Sequence, residues 1–181
     1  LLTMTGPDRA RAGADRDKLG MIKDGAVLIE DGRILDSGFR DLVMRDERAN
    51  TARIVDAGGR VVLPGFVDSH SHPVFAAPRL EDFEARLKGR TYAEIAAGGG
   101  GILSTVSRVR GATQAQLTES LCNWASRFLE CGTTTLEAKS GYGLDVDTEL
   151  KMLRAVHDAS SRTALELVPT FIGAHAVPPE M

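Results

Sequence analysis

The sequence predicts an α/β protein, on three observations. Up to about Gly59 it reads as short strands and turns. From Pro64 onward, strand-like and helix-like segments alternate. Three of the four histidines fall just past the strand-like segments. Strands separated by helices imply parallel βα units, and hence an open α/β sheet or a (β/α)8 barrel.

In the first part, Gly25 to Glu30 carries Ala26, Val27, Leu28 and Ile29 and predicts a β-strand. Asp31-Gly32 is a two-residue hairpin signal, because the turn that matches strand twist needs positive φ at both positions. The partner strand begins at Arg33 to Asp36. A further apolar segment, Arg53 to Asp56, is followed by Gly58-Gly59 and by Arg60 to Leu63. Little of this region is helical, and it reads as one half of a small β-sandwich.

Past Pro64, Gly65 to His70 reads as a buried strand. Leu80 to Lys88 places Phe83 and Leu87 at helical spacing. Ala112 to Glu130 carries Leu117, Leu121, Trp124, Ala125 and Phe128, a stripe along one helix face. Gly132 supplies the C-terminal stop. Thr133 to Ala138 is β-rich and predicts a second strand. Asp145 or Asp147 caps a helix running to about Ala159, with Leu150, Leu153 and Val156 inward. Leu165 to Ile172 is the third strand. The Gly98–Gly101 run reads as a flexible segment, either a lid hinge or a long loop. The boundary between the two regions falls at 62/63.

Bulk properties narrow the function classes. A formal net charge of −3 with scattered Lys and Arg leaves no basic footprint for nucleic acid. No apolar run approaches the ~18 residues of a membrane span, and no charged-then-apolar leader opens the chain. A cytoplasmic protein without nucleic-acid or membrane partners is expected. Cys122 and Cys131 suit neither a disulfide framework nor a CxxC metal site, and read as thiols in a reducing compartment. The first residue is Leu1 rather than Met, so the natural start is expected upstream.

Each predicted strand of the second region runs into chemically capable residues at its carboxyl end. The first reaches His70 and His72, the second Lys139 and Tyr142, the third His175. Ligands of parallel α/β folds bind at that edge, because its loops face one mouth. His157 lies mid-helix and reads as a surface or boundary residue. Residues two apart on a strand point the same way, so both imidazoles of His70-Ser71-His72 can reach one divalent ion. The alternative is a pair of histidines that only make hydrogen bonds.

The stretch Pro64-Gly65-Phe66-Val67-Asp68-x-His70-x-His72, after a β-rich segment, resembles the first barrel strand of the metal-dependent amidohydrolases. Four further runs narrow this: Gly98 to Val106, Glu137 to Leu144, Thr148 to Arg154 and Phe171 to Glu180. In order and spacing they resemble the imidazolonepropionase family, across nearly all of positions 20–181. The resemblance implies a partial (β/α)8 TIM-type barrel preceded by part of a small β-sandwich. It also implies hydrolysis of 4-imidazolone-5-propanoate to N-formimidoyl-L-glutamate in histidine degradation. One divalent metal ion, zinc or iron, would activate the water and polarise the carbonyl.

Residue by residue, His70 and His72 match the family's first two metal ligands. Arg79 matches the residue that holds the substrate propionate, and a guanidinium makes two parallel charge-assisted bonds to a carboxylate. On its own it would read as a solvated charge. Tyr142 matches a substrate-contacting tyrosine, and His175, beside two prolines, a histidine that contacts the imidazolone ring. Tyr92 lines the same pocket, or else staples a helix. The proton-transfer residue is expected beyond Met181. One stretch departs from the family: Pro73-Val74-Phe75-Ala76-Ala77-Pro78 stands where glycines and an acidic residue are commoner, and its prolines restrict φ in the loop carrying Arg79.

The chain after Pro64 is long enough for about three of the eight strands. The resemblance therefore implies a truncated chain, without the later histidine and aspartate ligands and without the second half of the sandwich. Two open sheet edges and uncovered apolar inward faces are expected, favouring pairing with another chain, a homodimer included. Such a piece should be inactive alone. Two other readings stay open: another cyclic amidohydrolase or deaminase on the same scaffold, and a non-catalytic truncated chain.

Overall fold

Asp31 and Gly32 both adopt positive φ, 51° and 74°, and close the hairpin between β1 (Gly25–Glu30) and β2 (Arg33–Phe39). These strands belong to the first of two compact units, Leu1–Pro64 and Gly65–Met181. The computed structural model describes residues 1–6, 8–178 and 180–181. The second of the two prolines after His175 lies outside the described residues. Helix α1 (Arg40–Val43) and a 3₁₀ turn at Glu47–Asn50 fold against the hairpin, burying Leu28, Val43 and Ala49.

The first unit shows fewer strands than the sequence predicts. Its sheet has two strands, and a separate isolated bridge pairs Leu2 with Met21. Arg53 to Asp56 and Arg60 to Leu63 form no ladder, and Ile54 and Val55 are 74% and 76% exposed. Apolar β-formers become strands only where a neighbour or a second layer covers them, and the small buried cluster of this unit reaches neither segment.

In the second unit, β3 (Phe66–Ser71), β4 (Thr133–Lys139) and β5 (Glu166–Thr170) form a parallel sheet in the order β3-β4-β5. Between β3 and β4 the chain makes α2 (Leu80–Leu87), α3 (Tyr92–Ala97), α4 (Ile102–Gly111) and α5 (Gln114–Glu130). Helix α6 (Val146–Ser160) connects β4 to β5. Capping boxes open α3, at Thr91 with Glu94, and α5, at Thr113 with Gln116. The glycine run is thus the short junction of α3 and α4, two helices that the sequence does not announce. The protein is mixed α/β with two small sheets, and no closed barrel is formed by the described residues. None of their helices is long and apolar enough to cross a membrane.

The core lies between the sheet and α5 and α6. Leu136 and Ala138 of β4 and Leu167 of β5 meet Leu117, Leu121 and Ala125 of α5 and Met152, Ala155, Val156 and Ala159 of α6. The stripe on α5 packs as its spacing predicts. That on α6 is turned: Met152 is fully buried, whereas Leu150 is 40% exposed. The rotation follows from Glu149, whose carboxylate points into the protein. Lys151 donates to the carbonyls of Val109, Arg110 and Ala112 at 3.0, 3.0 and 2.8 Å, satisfying the end of α4.

Two further expectations are corrected, and one predicted helix forms with its apolar residues exposed. The segment Gly65 to His70 is not buried: β3 pairs only with β4, and Phe66 and Val67 are 56% and 68% exposed. Helix α2 forms, but Phe83 and Leu87 face away from the core, at 63% and 74% exposure. The sheet face turned from the helices is mostly polar rather than apolar, because alternation brings Thr133, Thr135, Glu137 and Lys139 of β4 to it. There Thr135 donates to Glu166 at 3.1 Å.

These exposures make a direct prediction. Leu136→Ala should cost about 3 kcal/mol of unfolding free energy, since it opens a cavity between sheet and helices. Phe83→Ala should cost less than about 1 kcal/mol. Urea titration of both variants checks this, and equal losses would show that α2 is packed in solution.

Candidate active site

The carboxyl ends of the three parallel strands lie side by side, and their imidazoles meet there. The His72 and His175 rings stack with centroids 4.4 Å apart and planes 7° from parallel. Tyr142 sits 5.1 Å from His72 and 5.5 Å from His175. His70 stands edge-on to His72 at 5.9 Å. Residues far apart in sequence thus share one site, because each follows a strand of the same parallel sheet. Tyr92 joins none of these ring contacts; a Cβ on Gly101 would lie 3.3 Å from its hydroxyl.

Backbone carbonyls set the tautomers. His72 Nδ1 lies 2.8 Å from the Ser140 carbonyl and His175 Nδ1 lies 2.9 Å from that of Gly141. A carbonyl only accepts, so both Nδ1 atoms carry hydrogen and each neutral ring keeps its lone pair on Nε2. Burial pushes the His72 imidazole below its ordinary pKa; the Ser140 bond opposes this, and His175, His70 and Lys139 add to it. Burial raises the Tyr142 phenol, and the positive charge of Arg79 opposes this.

The loop supplying those carbonyls is built around Glu149. Its buried carboxylate accepts the N–H groups of Gly141, Gly143 and Leu144 at 2.8, 2.7 and 2.9 Å. Gly141 has φ +103°, and a Cβ there would sit 2.9 Å from the His175 ring. A Cβ on Gly143 would meet the Glu149 nitrogen at 2.7 Å. Arg110 holds the Gly143 carbonyl at 2.8 Å, and the Ser140 hydroxyl accepts from Ile172 N–H at 3.1 Å. Sequence reasoning does not single out Glu149 or Ser140. The available signal is a Gly-x-Gly loop rich in N–H donors, followed by a carboxylate in the first turn of the next helix.

The end of β4 carries a partly buried ion pair, Lys139 Nζ to Glu137 Oε1 at 2.5 Å, and Thr170 donates to the same oxygen at 2.9 Å. Lys139, then Thr170, hold the Glu137 carboxyl below its ordinary range. The proline-bounded loop is anchored: Val74 is fully buried, Phe75 packs on Trp124 at 5.5 Å, and Ser120 and Arg108 donate to the carbonyls of Phe75 and Pro78. It delivers Arg79 to the start of α2, 3.7 Å from Asp82.

The pair His70 and His72 fits part of a metal site. Two imidazoles bound at ~2.1 Å to one tetrahedral ion have centroids about 5 Å apart, near the 5.9 Å found. The His72 Nδ1–H on a backbone carbonyl is the outer bond that orients metal-binding imidazoles. Among the described residues, no group of three or more His, Cys, Asp or Glu is arranged to hold an ion.

A parallel βα array that gathers imidazoles, a phenol and an ion pair at its carboxyl edge is an α/β protein with its candidate site where such folds bind ligands. No family model matches the chain. Individual proteins do. It is 48% identical over 180 residues to an imidazolonepropionase of Solibacter usitatus, covering 99% of this chain and 43% of that protein. It is 52% identical over 144 residues to that of Symbiobacterium thermophilum, covering 79% and 34%. To that of Myxococcus xanthus it is 55% identical over 127 residues, covering 70% and 30%. The chain belongs to the imidazolonepropionase family, and spans less than half the length of these relatives.

The loop architecture yields a test. Glu149→Ala leaves three buried N–H groups without acceptors and should cost about 3 kcal/mol or more. Gly143→Ala should also destabilise, by about 1–3 kcal/mol, because its Cβ meets backbone. If urea midpoints of both variants match the parent, the carboxylate does not hold this loop.

Proposed function

We propose that this chain carries part of the active site of an imidazolonepropionase, hydrolysing 4-imidazolone-5-propanoate to N-formimidoyl-L-glutamate. Residues 1–62 would belong to a small composite β-sandwich, and 63–181 would begin a (β/α)8 barrel. The observation that carries the reading is the cluster of His70, His72, Tyr142 and His175 at one sheet edge, with two Nε2 lone pairs left free. The parallel order β3-β4-β5 and the similarity to the named relatives support it.

His70 and His72 would provide two ligands to a divalent ion, zinc or iron. When bound, such an ion polarises a carbonyl and makes its water more acidic. His72 is suited to this by its depressed pKa and fixed tautomer. Arg79 would take the propionate in a two-pronged contact. Tyr142 keeps its proton at neutral pH, so its hydroxyl can donate to the ring, and His175 Nε2 can accept from a ring N–H. Tyr92 would stand at the rim. In the net reaction one water adds across the ring amide: its oxygen bonds to the carbonyl carbon, the C–N bond breaks, and the departing nitrogen takes a proton. A cytoplasmic setting suits the two free thiols, Cys122 and Cys131.

The test uses the protein that carries this sequence, loaded with zinc or iron. It should consume 4-imidazolone-5-propanoate far faster than hydantoin or dihydropyrimidine substrates. His72→Ala should lower turnover by about 100-fold. Arg79→Met should raise KM by about 10–100-fold with little change in kcat. The 181-residue chain alone, with two of the expected ligands, should show no measurable turnover. Preference for hydantoin, or full activity in His72→Ala, would sink the proposal.

A further inference from the structure

Asp82 stands between Arg79 and the glycine run. Its Oδ2 lies 3.7 Å from Arg79 Nε and accepts the Gly101 N–H at 2.8 Å. We propose that Asp82 is the positioning residue for Arg79, holding the guanidinium by its Nε edge so that the two-pronged Nη edge stays open for a substrate carboxylate. This deepens the reading above and rests on its assignment of Arg79.

Three observations support it. First, the carboxylate is fixed before it meets the arginine. Besides the Gly101 bond, its Oδ1 occupies the place where a Cβ on Gly100 would be, at 2.5 Å, so the glycine run is shaped around it. Gly101 itself has φ +73°, and a Cβ there would lie 3.3 Å from the Tyr92 hydroxyl. Second, the backbone beside Arg79 is pinned by Arg108, which donates to the Pro78 carbonyl at 3.1 Å. Third, at 3.7 Å the Arg79–Asp82 contact is an ion pair rather than a hydrogen bond, so the attraction to Nε leaves the guanidinium donors unused. A side chain as long as arginine's otherwise loses its rotamer freedom only on binding, which weakens affinity.

The opposite effect is also physical: a carboxylate near Arg79 repels an incoming one. The geometry favours holding, because Oδ2 is already bonded to Gly101 and makes its nearest approach to Arg79 at Nε. The two effects move KM in opposite directions, which makes them separable.

Asp82→Asn keeps an oxygen for the Gly101 N–H and removes only the charge. In the metal-loaded protein, kcat and KM are measured for 4-imidazolone-5-propanoate and for the same ring bearing ethyl in place of the propanoate. The expected result is a rise in KM of about fivefold for the carboxylate substrate, with kcat within about twofold and the ethyl analogue unaffected. A KM that is unchanged or lower overturns the inference. In an Arg79→Met background, Asp82→Asn should add no further change, because its effect passes through the arginine; a second fivefold rise there also overturns it. If Arg79→Met raises KM and Asp82→Asn does not, this inference alone fails. If Arg79→Met leaves KM unchanged, the assignment of Arg79 fails.

Discussion

The candidate site depends on one buried carboxylate. Glu149 gathers three backbone N–H groups of the loop 141–144, and charge-assisted bonds of this kind are strong because the acceptor carries full charge in a poorly solvated place. The loop is thereby closed so tightly that two of its positions exclude a Cβ, and Leu144 is held at a positive φ of 57° that a branched residue adopts only at a cost. The same closure turns the carbonyls of Ser140 and Gly141 toward His72 and His175. Ring stacking, tautomer and the free Nε2 atoms all follow from that turn.

The sheet beneath divides its labour by face. Leu136 and Ala138 pack against α5 and α6 and hold the second unit together. The opposite face carries Thr135, bonded to Glu166, and Glu137, bonded to both Lys139 and Thr170, which leaves a charged pair at the end of β4. Such a face is costly to bury unless every member is paired. Among the described residues, no buried side-chain nitrogen or oxygen lacks a hydrogen-bond partner.

Much of this is legible in the residues. Asp31-Gly32 specifies its turn because few residue pairs tolerate positive φ twice. The stripe on α5 locates a buried helix face, and the histidines mark the strand ends. Arg53 to Asp56 forms no strand, since Ile54 and Val55 are β-formers with nothing to cover them. Helices α3 and α4 escape a reading of periodicity because small residues and glycines weaken it, although Thr91 and Glu94 form a capping box.

The sequence by itself determined the local periods: where strands and most helices run, and which residues at their ends have the chemistry to act. Period and turn chemistry are properties of neighbouring residues, so they survive without a fold. Only the tertiary structure decided that α6 rotates to bury Met152 and Glu149 instead of Leu150, that β3 is an exposed edge, and that His72 lies flat on His175. Those outcomes depend on competition between segments far apart in the chain. A charged residue in a helix reads as solvent-facing until a loop elsewhere offers it three unpaired N–H groups.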